Sequence, residues 1–353
     1  LQVGNPNGHW EKNITSNIGL DGTFLNGTMD VILEFWQKNT SGLLFNPAFS
    51  ASAGVYPNNP FVNIGTMVNK GIDFQVIKRV KVNDDWSLIL DGNISPMSNK
   101  ITEIAPGQTY FTTGNFRNVP FIRNAVGQSI SSFYGYQMNG YFKDAADVTN
   151  SAAQDGAAPG RFKFADLDGD GKITDADRKF MGSPVPKFTY GLNITVKYKN
   201  FTLDAFVYGK YGNKIINFSK WYNQFYQSFS GAALSSATLQ SWTPERGNNA
   251  KTPIMETASN FSTNNTANSW YMESGSYLRM KNLQLGYTIP ASLLGRYGIQ
   301  RLKVYAQAVN LFTITKYTGK DPEVASSVDT TLGVDVGNYP ATRIWSLGLN
   351  LGF

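Results

Sequence analysis

The sequence contains no cysteine, which excludes disulfides and thiolate metal sites alike. Its single histidine, His9, falls in a turn rich in Gly, Asn and Pro and reads as a loop residue rather than a catalytic base. Charge is also scarce: charged residues make up 16% of the chain, below the ~25% of ordinary soluble domains. The net charge of +6 is spread along the chain, without a Lys/Arg cluster, so nucleic acid is not an expected partner. No apolar run approaches the ~18 residues of a membrane-spanning helix. That excludes a helical membrane protein but not a barrel, whose signal per strand is weak. There is no nucleophile elbow or zinc signature, and the chain is not expected to be an enzyme.

Aromatic residues and glycine are plentiful, with 18 Tyr, 23 Phe and 34 Gly among 353 residues. This suits a strand-rich protein with aromatic girdles. The last stretch, Thr342–Phe353, sets the pattern. Trp345, Leu347, Leu349, Leu351 and Phe353 alternate with Ser346, Gly348, Asn350 and Gly352. Successive strand residues point to opposite faces, so one face is apolar and the other small or polar. In a soluble protein the apolar face covers a core, whereas in a barrel it meets lipid.

The same alternation predicts strands at 12–24, 28–40, 65–82, 86–100, 187–198, 201–216, 276–289, 301–315 and 342–353. Short connections (25–27, 83–85, 199–200, 290–300) alternate with long ones (41–63, 101–186, 217–275, 316–340). That regularity points to an all-β, transmembrane antiparallel barrel with short periplasmic turns and long extracellular loops. The 101–186 and 217–275 segments read as extracellular insertions. A soluble, secreted β-rich carbohydrate-binding protein or adhesin is the alternative.

The run Asp166-Leu-Asp168-Gly-Asp170-Gly171-Lys172-Ile-Thr174-Asp-Ala-Asp177 has the spacing of a calcium loop. Carboxylates occupy loop positions 1, 3, 5 and 12, glycine position 6, and a hydroxyl position 9. Calcium takes six to eight oxygens, and this spacing wraps them round one ion, with the Lys172 carbonyl at position 7. The expected ligands are Asp166, Asp168, Asp170, Lys172, Thr174 and Asp177, and the expected cofactor is structural Ca2+. Asp177 is a shorter arm than the usual glutamate. A second candidate is an aromatic face, Phe218, Trp221, Tyr222, Phe225 and Phe229, which share one side of a helix. Such a face serves to stack on sugar rings, or packs under its own loop or against a partner.

Several segments, in order, resemble the SusC/RagA type of TonB-dependent transporter from Bacteroidetes outer membranes. They are H-W-E-K-N-I-T-S-N-I-G-L-D (9–21), N-K-G-I-D-F (69–74) and F-Y-G-Y-Q-M-N-G-Y-F (133–142). They continue with the calcium-loop segment (166–178), G-S-P-V-P-K-F-T-Y-G-L-N (182–193), S-Y-L-R-M-K-N-L-Q-L-G-Y (276–287) and V-Y-A-Q-A-V-N-L-F (304–312). The terminal Phe353 strand is similar to the closing strand of such barrels. The resemblance implies a 22-strand barrel with an N-terminal plug. About nine C-terminal strands are expected over 1–353, with the plug and the earlier strands outside this chain. It further implies a SusD-type lipoprotein lid, energy from the TonB complex through the plug, and contact with the lipid bilayer. The implied function is nutrient import in the bacterial outer membrane, glycan or peptide uptake, with an oligosaccharide or a peptide as substrate.

Overall fold

A computed structural model describes residues 5–45, 62, 63, 65–105, 107–228, 231, 233–295, 298–324, 326 and 328–353. Nine long strands form its main sheet. They are β1 (Lys12–Phe24), β2 (Met29–Ser41), β3 (Thr66–Lys81), β4 (Trp86–Glu103), β5 (Phe188–Tyr198), β6 (Phe201–Tyr211), β7 (Tyr277–Thr288), β8 (Arg301–Val309) and β9 (Ile344–Gly352). Each pairs antiparallel with its neighbours in sequence, from β1 at one edge to β9 at the other. This is the nine-strand meander that the alternation predicts. The tight β1–β2 turn falls at Leu25, Asn26 and Gly27, all with positive φ.

The register lines up like with like. One row across the sheet reads Leu20, Leu33, Phe74, Ile94, Tyr190. The neighbouring faces carry Asp91 opposite Asn193 and Thr195 opposite Asp204. The sheet therefore has an apolar face and a polar face. Leu192, Leu203, Leu285, Leu347 and Leu349 on the apolar face are all exposed.

Two strands end sooner than their patterns suggest. The 201–216 alternation breaks at Gly212, whose φ of 87° turns the chain out of the sheet. Lys214–Asn217 then joins a separate three-stranded sheet with Met272–Ser274 and Val334–Asp335. The 301–315 run breaks at Asn310 (φ 53°), and Thr313–Thr315 pairs with the start of β7 instead of with β9.

β4 and β5 pair directly, so the segment between them adds no strand to the main sheet. It forms a four-stranded sheet from Tyr110–Phe116, Val119–Ala125, Phe133–Tyr136 and Arg178–Gly182, and a small ribbon from Met138–Tyr141 and Phe162–Phe164. The segment between β6 and β7 folds against it. Tyr136 N donates to Ala267 O at 2.9 Å, and Phe162 N to Ser262 O at 3.0 Å. The approach requires Gly135, where a Cβ would lie 2.4 Å from the Ala267 oxygen.

The principal hydrophobic core lies in these insertions. Its buried cluster comprises Val119, Phe121, Phe133, Tyr136, Phe162, Phe218, Trp221, Phe225, Tyr271 and neighbours, none of them on β1–β9. Long connections and core thus share one end of the main sheet, and the short turns mark the other.

Candidate functional site

Three features gather at the long-loop end. The first is the acidic loop. It returns to form a one-turn 3-10 helix, Asp175–Asp177, capped by Thr174. Asp177 is buried and reaches back across the loop, accepting Leu167 N and Thr174 N, each at 2.7 Å. Burial opposes its ionisation. The backbone N–H donors of Thr174, Leu167, Asp168 and Asp177 outweigh that and hold its carboxyl below the usual carboxylate range. Asp166 accepts Gly169 N and Gly171 N.

Carboxylate oxygens of Asp166, Asp168 and Asp177 lie within 4.8 Å of one another. Asp170 stands outside that cluster, its carboxylate accepting Lys172 N at 2.8 Å. Three of the expected acidic ligands are therefore gathered and the fourth is not. Each ionised oxygen keeps a lone pair beyond its N–H contact, so the donor set suits a hard divalent cation.

The second feature corrects the expected aromatic face. The helix there is a single turn, Ser219–Asn223. Phe218, Trp221 and Phe225 are buried in the insertion core, so they are not a surface for sugar. Trp221 Nε1 donates to Asn264 O at 3.0 Å, and its ring stacks on Phe218 at 5.7 Å. Tyr222 packs against the same core from its margin. Phe229 lies outside the described residues. Large aromatic rings gain more from the shared core than from water, and sequence periodicity cannot tell the two apart.

The third feature was not anticipated. Arg279, on the polar face of β7, is almost fully buried and holds Asp321 at 2.6 Å, together with Glu323. Lys281 also holds Glu323, at 2.8 Å. Asp321 then accepts Ala341 N at 2.8 Å. This cluster fastens the long β8–β9 connection to the polar face of the sheet. The sequence signal was present in Arg279 and Lys281 near the start of β7 and in Asp321-Pro-Glu323. Nothing local indicates that they meet across more than forty residues.

The apolar face of the sheet ends in aromatic pairs. At the short-turn end Trp86 meets Tyr198 (4.3 Å between ring centroids) and Phe201 meets Tyr287 (4.7 Å). At the other end Phe188 meets Tyr211 at 5.0 Å. Phe188 and Tyr198 are ten residues apart on β5. At ~3.3 Å per residue and a tilt of ~40° they are about 25 Å apart in height, the thickness of the apolar band of outer-membrane barrels.

Comparison with known proteins accounts for this architecture. The chain is 34% identical over 362 aligned residues to TonB-dependent receptor P3 of Formosa agariphila, covering 99% of the chain and 35% of that protein. It is 27% identical to the TonB-dependent receptor SusC of Bacteroides thetaiotaomicron, covering 99% of the chain and 32% of that protein. This chain belongs to the SusC/RagA type of TonB-dependent receptor. No family model matches it. In three dimensions it is similar to the RagAB peptide transporter, with a TM-score of 0.80 at 24% identity, covering 99% of the chain and 36% of that structure. A RagAB peptide importer in a closed-closed state gives 0.79. The SusC/RagA-type chain thus spans about a third of the length of the relatives it matches, and its sheet is part of a transmembrane β-barrel wall. The relatives are receptors and transporters rather than enzymes.

Proposed function

We propose that this segment is the wall of an outer-membrane importer, with its insertions on the extracellular side. The observation that supports this reading most is the division of the nine strands. Their apolar face is exposed and bounded by aromatic pairs, while Asp21, Asp30, Glu34, Asp73, Asp91 and Asp204 share the other face. An apolar wall of this size belongs in lipid. It counts against the soluble adhesin. The short turns face the periplasm and the insertion core caps the outer mouth. A SusD- or RagB-type lipoprotein closes over that cap. The energy comes from TonB through regions outside this chain, and the cargo is an oligosaccharide or a peptide.

In the same reading the acidic loop takes Ca2+ from the medium, through Asp166, Asp168 and Asp177 with Asp170, Thr174 and the Lys172 carbonyl as further ligands. The ion would neutralise the carboxylates and stiffen the loop beside the lid. Its role is structural.

The test is deletion of the full-length gene in its own host, followed by uptake of labelled oligosaccharides and of labelled peptides. One of the two classes is expected to stop entering, and to stop again when TonB is removed. Undiminished uptake of both classes would contradict the proposal.

A further inference from the structure

On the apolar face of β1–β4 a groove of about 640 Å3 runs between two rows of side chains. The row nearer the short turns is Ile18, Phe35, Ile72 and Pro96; the row nearer the long loops is Ser16, Gln37, Lys70 and Ser98. Rows on one face are two residues apart, roughly 7 Å, which is wide enough for one hydrocarbon chain. Pro96 pairs with Phe188, and Phe188 with Tyr211, so the apolar row continues into the aromatic pair at the long-loop end. Lys70 therefore stands one row above the edge of the apolar band, at the height of lipid headgroups.

Lys100 stands beside it. Its direct partner on β3 is Val68, which places it diagonal to Lys70 on the same face. Both lysines are exposed, and neither is in a salt bridge among the described residues. Asp21, Asp30, Glu34, Asp73 and Asp91 all lie on the opposite face. Glu103, three residues beyond Lys100 and paired with Thr66, ends β4 and lies farther from the groove than either lysine. Two unpaired cations above an apolar groove match a ligand with an anionic head and an acyl tail.

We propose that this groove binds a phosphorylated, acylated glycolipid of the outer leaflet, with an acyl chain against Ile18, Phe35, Ile72 and Pro96 and a phosphate against Lys70 and Lys100. A second copy of the chain is a poorer occupant, because it would present the same two cations to themselves across a two-fold axis. The inference rests on placing the long-loop end outside the cell, and it is independent of the cargo and of the lid.

Native mass spectrometry of the full-length receptor in nonionic detergent tests it, with monophosphoryl lipid A, its dephosphorylated form and phosphatidylglycerol as separate probes. Monophosphoryl lipid A is expected to be retained and the dephosphorylated form lost. The double variant Lys70→Glu, Lys100→Glu should weaken retention roughly ten-fold or more. Ser98→Trp, which fills the groove and leaves both lysines, should also displace the lipid. Equal retention by the lysine variant, or equal binding of the dephosphorylated form, would overturn the proposal. Phosphatidylglycerol held in preference to lipid A would contradict the outward placement itself. A lipid-free dimer dissociated by Ser98→Trp would make the occupant a second copy.

Discussion

Arg279 and Asp321 meet at 2.6 Å, and the arginine side chain is only 3% exposed. One residue is on the barrel wall and the other is in the β8–β9 connection. Removing one partner of a buried pair leaves the other charge uncompensated, at a cost of about 3–5 kcal/mol. Arg279→Met should therefore loosen the stretch around Asp321 and Glu323, while Val334–Asp335 keeps its place beside Lys214–Asn217 and β7 and β8 stay paired. Limited proteolysis of the full-length receptor should cut that segment at least several-fold faster. Unchanged cleavage would show that the connection is held by something else.

The same cluster sets a pH dependence. Burial raises the carboxyls of Asp321 and Glu323, but hydrogen bonds from Arg279 to Asp321 and from Lys281 to Glu323 outweigh it and hold both below their ordinary values. Their folded pKa values are depressed, so the stabilisation is fully present above the unfolded carboxylate range and is lost as pH falls through the folded values. Hydrogen-exchange protection around Asp321 and Glu323, taken relative to the intrinsic rate at each pH, should hold at neutral pH and fall only below about pH 4, the ordinary carboxylate range. Loosening on the alkaline side, between pH 6 and 8, would contradict this assignment.

How much of this was legible in the sequence depended on how local the cause was. The nine strands were readable because alternation such as Phe188, Tyr190, Leu192 is imposed residue by residue by the two environments of the wall. The turn at Leu25–Gly27 was readable for the same reason. The break at Gly212 and the bend at Asn310 were not, since both continue an alternating pattern and depend on what the chain joins next. Phe218, Trp221 and Phe225 have the spacing of a surface stripe and of a core alike. Their burial was fixed by Phe121, Phe162 and Tyr271, far away in sequence. In the acidic loop, spacing alone indicates that Asp166, Asp168 and Asp177 draw together, but not the turn that sends Asp170 to Lys172 N.

The acidic loop should bind calcium weakly. Titration calorimetry of the full-length receptor is expected to give a Kd of ~10⁻⁴–10⁻³ M, since sites facing an external medium need no higher affinity. Asp168→Ala should abolish the heat while leaving the barrel resistant to unfolding in detergent. Unaltered binding in that variant would remove the loop from the account.

A charge on the apolar face should be costly, and one on the polar face should not. Leu192→Arg is expected to destabilise the folded receptor in vesicles by about 2–4 kcal/mol if it lies near the bilayer midplane. Thr195→Arg, three residues along β5 on the opposite face, should cost well under half as much. Equal costs would argue against a lipid-facing wall.

The most direct measurement uses the absence of cysteine in this chain. Single cysteines at 192, 203, 193 and 204 would carry nitroxide labels in the full-length receptor, cysteine-free elsewhere and embedded in a bilayer. Power saturation would then compare collisions with oxygen, which concentrates in lipid, and with a water-soluble nickel complex. Labels at 192 and 203 are expected to respond to oxygen, and labels at 193 and 204 to the nickel complex. All four responding alike, or 192 and 203 shielded from both reagents, would contradict the barrel wall on which the account rests.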